Sequence, residues 1–520
     1  MLFYFELLLL FCLTYVFSKN ALHMFQQQRY ELRRYSLWFS NKNNIHFSLI
    51  LIYPIIAILF SLIFKHSLVS EIICMILVIL YSYYYLKKEV QKQYIKPLVL
   101  TNRVKRQIVC LFILLLLTFI LCLKVSTFAL ASILAIFIPY LLIYPMALIT
   151  LPIEELIKKY YENDARKILD SYNNLIKIGI TGSFGKTSTK NIINDIINQQ
   201  FLTLITPASY NTPMGITRTI REHLKPIHEI FVCEMGADKV GDIEYLMNFV
   251  KPNMGVVTSI GPQHLNTFKT QENIIIEKMK EVEMLPSDGV AFINLDNEFI
   301  ANYEIKNTCK VVSVGINNKK ADYVAKDIIY SKDGSEFDVS INKKIYKFKT
   351  SLLGQHNITN ILLGIAIAYE LGIKVEDIVK NVSRIRQVEH RLEVKKINGL
   401  TFIDDAFNSN PVGSKMALDV LKLMPEKRVI VTPGMIDLGK RQDEINYEFG
   451  KYMKGKADLV LLVGEKQTSE IYRGLKDAKF AMDNVLVFKT VKEAFAYIYK
   501  NLSSKDSILL ENDLPDAFNV

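Results

Sequence analysis

The sequence predicts an α-helical membrane region followed by an α/β region with two sheet domains, and three observations lead to this fold class. Long apolar runs fill the first 150 residues. From residue 175 onward, short apolar strand patterns alternate with helical patterns, which is typical of mostly parallel sheets covered by helices. A second alternating series begins after Val388. We therefore divide the 520-residue chain into a transmembrane region (1–150), a connector (151–174), a central domain (175–387) and a Rossmann-like C-terminal domain (388–520).

Positive charge is concentrated in the predicted membrane region. Residues 1–150 contain 14 Lys and Arg against four Glu, so they carry +10 of the net charge of +11. The rest of the chain is therefore nearly neutral. A nucleic-acid-binding protein would show a basic face on its soluble part, so we expect no nucleic-acid partner.

Five apolar runs lie in this region, and each approaches or exceeds the ~17–25 residues that a helix needs to cross a bilayer. Counts of four or six spans stay open, because the first and third runs are short. Lys and Arg are most frequent in 18–46 and 87–107, which the positive-inside rule places in the cytoplasm. We therefore expect a multi-pass protein of the cytoplasmic membrane, with everything after residue 150 in the cytoplasm. The runs cover roughly 2–17, 47–64, 72–86, 108–123 and 127–150.

The connector is charged and rich in helix formers, which predicts an amphipathic juxtamembrane helix. The central domain then alternates strands and helices, and a strand-rich insert at 320–350 has the polar alternation of a small antiparallel piece. The predicted strands lie near 175–181, 229–234, 254–260 and 290–294, and the predicted helices near 187–198, 239–249, 271–285 and 357–372.

The C-terminal domain repeats the alternation, but no Gly-x-Gly-x-x-Gly follows its first strand. We therefore assign it no dinucleotide. Its predicted strands lie near 399–404, 427–432, 457–463, 484–488 and 506–510, and its predicted helices near 412–423, 440–454, 467–475 and 491–500.

Residues 178–190 read Ile-Gly-Ile-Thr-Gly-Ser-Phe-Gly-Lys-Thr-Ser-Thr-Lys and have the character of a phosphate-binding loop. Gly182 and Gly185 would let backbone N–H groups approach phosphate oxygens, and the helix that follows would present its positive end to the anion. Lys186 would neutralise phosphate charge and Thr187 would hold Mg²⁺. The glycine spacing is shorter than in the common form of the motif, and a simple Gly/Ser turn is the alternative.

Other polar residues follow predicted strands or open predicted helices, where an α/β sheet binds its ligand. Each has an ordinary structural alternative. Glu234 could be a Mg²⁺ ligand or a solvated cap, and His264 follows the next strand. Lys278 and Lys280 lie in a charged helix that could be a solvated face. Asn357 and Asn360 could cap a helix or contact a base, and Asp404-Asp405 could belong to an Asx-rich turn.

Taken in order, these residues resemble the Mur ligase family, the ATP-dependent amide ligases of cell-wall precursor synthesis, across about 175–515. The strings are most similar to the branch that adds D-alanyl-D-alanine to a UDP-muramoyl-tripeptide. The matching strings are Thr181-Gly-Ser-Phe-Gly-Lys-Thr187, Glu234-Met-Gly-Ala237, Gly261-Pro-Gln-His-Leu265, Gly354-Gln-His-Asn357 with Asn360, His390-Arg-Leu-Glu393 and Asp404-Asp-Ala-Phe-Asn-Ser-Asn-Pro411.

The resemblance implies a P-loop ATPase central domain that uses ATP and two Mg²⁺ ions. It makes Lys278 the lysine that this family carbamylates to create an anionic ligand, with Lys280 as the fallback. The catalytic residues would be Lys186, Lys278 and His264. The metal ligands would be Thr187, Glu234, His264 and Lys278. The nucleotide would be bound by Gly182, Ser183, Gly185, Lys186, Thr187, Ser188, Asn357, Asn360, Arg391 and Asp405.

The implied reaction forms an amide through an acyl phosphate, with a UDP-linked or lipid-linked peptidoglycan-type precursor and an amino acid or dipeptide as partners. Apolar runs stand where the family has its UDP-sugar-binding domain, and Phe407, Asp437 and the 511–516 ending depart from the family pattern. Two alternatives therefore remain. One is a membrane-anchored ligase that acts on another carboxylate acceptor, such as a lipid-linked glycan or a capsule precursor. The other is a non-catalytic nucleotide-binding scaffold.

Overall fold

The computed structural model describes residues 2–40, 97–122, 128–208, 210–331, 334–387, 392–406, 411–436, 438 and 441–512, with isolated positions between 72 and 87. The predicted apolar run at 47–64 lies outside the described residues, and the run at 72–86 lies largely outside them. The same holds for the predicted nucleotide ligand Arg391 and for two family departures, Phe407 and Asp437.

The N-terminal helices form one compact unit that extends to Tyr160. Its core is aromatic: Tyr35 is fully buried and its hydroxyl donates to the carbonyl oxygen of Tyr140 at 3.2 Å. An ion pair with two hydrogen bonds of 2.8 Å joins Arg106 to Glu154. The helices are α1 (Leu2–Gln27), α2 (Leu32–Ser40), α3 (Asn102–Cys122) and α4 (Phe128–Ser171).

Within the described residues, one helical stretch, Ile138–Ser171, is long and apolar enough to cross a membrane, judged by length and composition. The predicted runs at 2–17, 108–123 and 127–150 all fall on helices. The structure thus supports one candidate span and not the multi-span region that the sequence predicts. The figure of about five spans stays a prediction.

The fifth apolar run and the connector are one continuous helix, α4, and not two separate elements. Its last turns belong to the second compact unit, which begins at Tyr161. There Ala165 and Leu169 are buried in the core of the central domain. Asp164 pairs with Arg221 at 2.6 Å. The connector therefore ends as a packed part of the α/β region, because apolar side chains on one face give it a surface to bury.

The central domain contains the predicted strands and helices, with bounds shifted by a few residues. The predicted antiparallel insert is confirmed as three strands. The strands are β1 (Ile176–Thr181), β2 (Thr203–Ile205), β3 (Ile230–Glu234), β4 (Met254–Val257), β5 (Val290–Asn294), β6 (Lys310–Gly315), β7 (Tyr323–Ser331), β8 (Gly334–Ile341) and β9 (Lys344–Thr350). The helices are α5 (Lys186–Ile197), α6 (Pro213–His223), α7 (Asp242–Val250), α8 (Leu265–Phe268), α9 (Gln271–Glu283), α10 (Glu298–Ala301), α11 (Gln355–Glu370) and α12 (Val375–Val382).

These nine strands form one sheet in the order β2-β3-β1-β4-β5-β6-β7-β8-β9. Strand β1 lies between β3 and β4 and is parallel to both, with Ile180 opposite Glu234 and Thr181 opposite Val257. The carboxyl ends of these three strands therefore meet at one edge, where ligands bind in α/β sheets. Helices α5, α11 and α12 contribute to the core on one face, and α6, α7 and α9 to the core on the other.

Six of the described central elements were not predicted: β2, α6, α8, β6, α10 and α12. Strand β2 has three residues, too few to show a period. Helix α6 begins at Pro213 after Thr212, whose hydroxyl accepts a hydrogen bond from the N–H of Gly215. This N-cap followed by Pro at the first helical position is a recognised start signal that the sequence reading passed over.

The C-terminal domain is a six-stranded sheet in the order β10-β11-β15-β12-β13-β14, parallel except for the edge pair of β10 and β11. All five predicted strands are present, and β10 is an addition. The strands are β10 (Glu393–Ile397), β11 (Leu400–Asp405), β12 (Arg428–Thr432), β13 (Leu459–Val463), β14 (Val485–Phe488) and β15 (Ser507–Glu511). The helices are α13 (Pro411–Lys422), α14 (Gln442–Tyr452), α15 (Ser469–Asp477) and α16 (Val491–Asn501).

Candidate active site

The loop between β1 and α5 has the backbone that an anion site requires. Gly182 has φ 150° and Gly185 has φ 83°, and Gly185 is the N-cap of α5 without a side-chain cap bond. A Cβ at Gly182 would overlap the hydroxyl of Thr258, so the glycine allows a close approach that no other residue permits. The helix thus keeps its first-turn N–H groups available for phosphate oxygens.

Lys186 folds back over this loop. Its Nζ donates to the carbonyl oxygen of Gly182 at 2.6 Å and lies 3.4 Å from that of Ser183. The ammonium group is therefore held at the place where a phosphate would bind. A bound phosphate can replace the two carbonyl oxygens as the acceptor of its hydrogen bonds.

Hydrogen bonds to the residues that follow β4 fix the conformation of the phosphate loop. Ser183 donates through its hydroxyl to the carbonyl oxygen of Gly261 at 3.0 Å and accepts from the N–H of Gly261 at 3.1 Å. The hydroxyl of Ser259 donates to the carbonyl oxygen of Phe184 at 3.1 Å. A Cβ at Gly261 would meet the Phe184 ring at 2.6 Å. Ser183 is thus a structural member of the loop, a role that the sequence prediction of nucleotide contact did not specify.

Glu234 lies at the end of β3, beside the loop, and it is buried. Its Oε2 is 3.2 Å from Nζ of Lys190, and its Oε1 accepts from the side-chain amide of Asn211 at 3.0 Å. The solvated-cap alternative for Glu234 is therefore wrong. Lys190 and Asn211 contact this candidate metal ligand, and the sequence analysis did not identify either, although Lys190 follows Lys186 by one helical turn.

His264 lies near the same edge in a left-handed backbone conformation, with φ 52°. Its Nε2 is 3.3 Å from Oδ1 of Asp238, which follows the Glu234 strand. A carboxylate that orients a histidine is the usual companion of a metal-ligating imidazole. Asp238 is thus a further site residue that the sequence reading missed.

Lys278 and Lys280 have very different surroundings on α9. Lys278 is buried, and its Nζ has no hydrogen-bond partner among the described residues. Burial, together with the charge of Lys186, lowers the pKa of Lys278 to about 7. Lys280 instead forms ion pairs with Glu244 at 2.8 Å and Glu277 at 3.1 Å. Of the two candidates, Lys278 is the one whose amine makes no hydrogen bond to the described residues and interacts with the charge of Lys186 in the phosphate loop. It is therefore the better candidate for carbamylation.

Two buried carboxylates accompany these lysines on α9. Glu277 accepts hydrogen bonds from the backbone N–H groups of Gly241 at 2.9 Å and Ile243 at 2.7 Å, at the start of α7. Glu281 lies under β1, and neither of its carboxyl oxygens has a hydrogen-bond partner among the described residues. Burial raises the pKa of Glu281 to about 8.

Asn360 and Asn357 lie in the first turns of α11, and both are buried. A Cβ on Gly185 would lie 3.1 Å from Oδ1 of Asn360, so Asn360 contacts the phosphate loop from the opposite side. Asn357 donates to the carbonyl oxygen of Leu353 at 2.8 Å. Gly354 is the N-cap of α11 and has no side-chain cap bond, so neither asparagine fills the capping role that the sequence allowed.

In the C-terminal domain, Asp405 ends β11, and its Oδ1 accepts from the N–H of Leu392 at 3.2 Å. Asp404 is bound by Lys395 at 3.2 Å. Asp405 therefore holds the backbone that follows Arg391. Its predicted nucleotide role stays a prediction.

The residues present fit Mg²⁺ and a nucleotide. Thr187 and Ser188 open α5 next to Lys186, and Glu234 supplies a hard carboxylate at the neighbouring strand end. In the described part of the chain, no three His, Cys, Asp or Glu side chains form a metal cluster by themselves. A metal here would therefore rely on a hydroxyl, phosphate oxygens and the carboxylate that a modified Lys278 would provide.

Comparison with protein families matches two segments of this chain. Residues 180–368 match the profile described as Mur ligase middle domain, and residues 390–511 match that described as Mur ligase, glutamate ligase domain. The segments correspond to the two sheets.

Individual relatives give the same match. The UDP-N-acetylmuramoyl-tripeptide–D-alanyl-D-alanine ligase of Bacillus subtilis is 29% identical over 338 residues, which is 64% of this chain and 72% of the relative. The enzyme of the same name from Escherichia coli is 28% identical, over 56% of this chain and 64% of the relative. The chain thus spans about two thirds of the length of these curated relatives.

Solved structures agree on the fold. MurF from Acinetobacter baumannii superposes with a TM-score of 0.62 at 25% identity and covers 68% of this chain and 77% of its own. MurF ligase from Thermotoga maritima in complex with ADP has a TM-score of 0.62 at 23% identity and covers 70% of this chain and 81% of its own.

Proposed function

Because this chain belongs to the Mur ligase family, whose members are ATP-dependent acid–amino-acid ligases, we propose that it joins D-alanyl-D-alanine to a UDP-N-acetylmuramoyl-tripeptide. The names of the relatives support the choice of substrates. One observation carries the choice of chemistry, namely that the Lys278 amine is buried and is repelled by the charge of Lys186 in the phosphate loop. A simple nucleotide-binding module has no use for such a group.

In the proposed reaction the carboxylate of the acceptor attacks the γ-phosphorus of ATP, and ADP leaves. The acyl phosphate is then attacked by the amine at its carbonyl carbon, and phosphate leaves as the amide forms. The backbone of Gly182 and Gly185 and the ammonium of Lys186 hold the phosphates. Asn357, Asn360, Arg391 and Asp405 are proposed to bind the nucleoside.

Thr187 and Glu234 would hold one Mg²⁺, and His264 with a carbamylated Lys278 would hold a second. Mg²⁺ in these places would spread the negative charge of the transferred phosphoryl group. Carbamylation requires the neutral amine: the Lys278 nitrogen bonds to the carbon of CO₂ and one proton is released. A pKa of about 7 leaves about half of Lys278 neutral at pH 7, whereas an ordinary lysine is almost wholly charged.

Paired variants test this assignment. Lys278→Ala should abolish substrate-dependent phosphate release, whereas Lys280→Ala should retain most of it, since Lys280 only pairs with Glu244 and Glu277. A ¹³C NMR carbamate signal from ¹³CO₂ should be present in the wild type and absent from Lys278→Ala. If Lys278→Ala complements depletion of the protein in cells as well as the wild type does, the non-catalytic scaffold is favoured instead.

We propose further that the N-terminal helices place the enzyme at the cytoplasmic membrane, with the catalytic domains in the cytoplasm and the bilayer as a partner. The apolar stretch Ile138–Ser171 supports this, and so does the outward apolar face of α3, which includes Val109, Phe112 and Leu116. Membrane fractionation of the full chain, with protease digestion of sealed vesicles from either side, tests both the anchoring and the orientation. A protein recovered in the soluble fraction would refute the proposal.

A second candidate acceptor is a lipid-linked glycan or capsule precursor that is delivered at the membrane. The same apolar helices favour it. Purified full chain should release phosphate with UDP-muramoyl-tripeptide and D-alanyl-D-alanine under the first proposal. ATP binding without that turnover, and no build-up of UDP-muramoyl-tripeptide after depletion in cells, would shift the assignment to the second acceptor.

A further inference from the structure

Lys190 is a buried cation that has no part in the reaction described above. It lies on the inner face of α5, one helical turn after Lys186, and both Lys190 and Glu234 are about 1% exposed. Its Nζ is 3.2 Å from Oε2 of Glu234 and also donates to the carbonyl oxygen of Ala208. Lys186 points to the phosphate loop and Lys190 to the carboxylate, so the two lysines of one helix have separate tasks.

Two side chains hold the Glu234 carboxylate, and a third holds its backbone. Lys190 reaches it from the phosphate-loop helix, and Asn211 donates to Oε1 at 3.0 Å from the β2–α6 connection. The backbone N–H of Glu234 donates to the hydroxyl of Thr206 at 3.1 Å. The connection itself is fixed because Gly236 donates through its N–H to the carbonyl oxygen of Asn211 at 2.8 Å. Contacts within the protein therefore fix the orientation of this side chain.

Two of the carboxylate's lone-pair directions are used by these donors, which leaves others for a cation. A buried carboxylate that loses its ion-pair partner turns towards other donors or solvent, and this change would remove a hard metal ligand from the phosphate loop. Groups that hold a ligand through such contacts commonly change metal affinity by 10–100-fold when they are removed.

We propose that Lys190 is a positioning residue, which holds the Glu234 carboxylate in place for Mg²⁺ at the phosphate loop. The inference rests on the proposed function only in taking ATP with Mg²⁺ as the ligand. It couples nucleotide and metal sites through one helix, since α5 carries both the phosphate-binding Lys186 and the lysine that orients the metal ligand.

The test uses the full chain and a fluorescent ATP analogue, titrated once with Mg²⁺ and once with EDTA. Lys190→Met should reduce the Mg²⁺-dependent gain in nucleotide affinity by about 10–100-fold, while affinity in EDTA changes little. Binding of Mn²⁺, followed by EPR, should weaken in parallel. Thr189→Val is the matched control, because Thr189 is buried on the same helix and its hydroxyl has no hydrogen-bond partner among the described residues.

A double-variant cycle keeps the test decisive if Lys190→Met folds poorly. In the double variant Glu234→Gln/Lys190→Met both charges are gone, so it should fold, and adding Lys190→Met to Glu234→Gln should cause no further loss of metal dependence. A wild-type metal dependence in Lys190→Met, or an undiminished further loss in the double variant, would overturn the inference. Failure of the wild type to bind nucleotide at all would count against the proposed function instead.

Discussion

Glu281 provides a test of the electrostatics under the phosphate loop. It is fully buried against β1, neither carboxyl oxygen has a partner among the described residues, and burial raises its pKa from 4.5 to about 8. Between these two values the folded chain holds a proton that the unfolded chain has lost. The free energy of unfolding therefore falls as pH rises from about 4.5 to about 8.

The size of this effect follows from the shift. At about 1.4 kcal/mol per pH unit, the rise to about 8 corresponds to a loss of up to about 5 kcal/mol by pH 8. Glu281→Gln is neutral at every pH and nearly isosteric with the protonated acid. We expect the variant to match the wild type at pH 5 and to be more stable by several kcal/mol at pH 8.

Hydrogen exchange of the β1 backbone amides is the appropriate assay, because it reports opening of this sheet alone. Wild type and variant are compared at the same pH, so the pH dependence of intrinsic exchange cancels. Glu277→Gln is the control on the same helix. Glu277 accepts two backbone N–H groups at the start of α7 and pairs with Lys280, so its loss should destabilise at both pH values. Equal protection of wild type and Glu281→Gln at pH 8 would refute the reasoning.

Three further outcomes are expected. Gly179→Ala should destabilise the central domain by about 1–3 kcal/mol in thermal or urea unfolding, because its Cβ would overlap the Glu281 carboxyl; unchanged stability would mean that the two groups are not in contact. Lys186→Met should weaken ATP binding about 10–100-fold in the same fluorescence titration, as expected for a charged hydrogen-bonding group, and an unaltered affinity would remove Lys186 from the site. The carbamate signal of Lys278 should increase as pH rises through about 7, whereas a pH-independent signal would contradict the low pKa.

The order of elements was largely readable from the sequence. Strands β3, β4 and β5 carry nearly continuous apolar runs because both faces of a parallel sheet are covered. The sequence did not predict β2, which is too short to show a period. It also did not predict β10, because the charged residues of this strand hide the apolar pattern of a strand. The sequence predicted about five spans in the N-terminal region, and the described residues support one. Hydropathy measures how apolar a run is, but it does not show whether the helix crosses a membrane or packs against other helices.

The sequence alone determined that a phosphate loop, an acidic strand end and a histidine follow successive strands, because glycine spacing and apolar runs are local properties. The family resemblance ranked Lys278 above Lys280, but only the tertiary structure showed that Lys278 is buried while Lys280 forms ion pairs, because burial depends on what packs over the helix. The contacts of four further residues also became visible only in the tertiary structure, namely those of Lys190, Asn211, Asp238 and Glu281. Their partners lie between about twenty and about a hundred residues away in the chain, and such contacts arise only when the sheet has assembled.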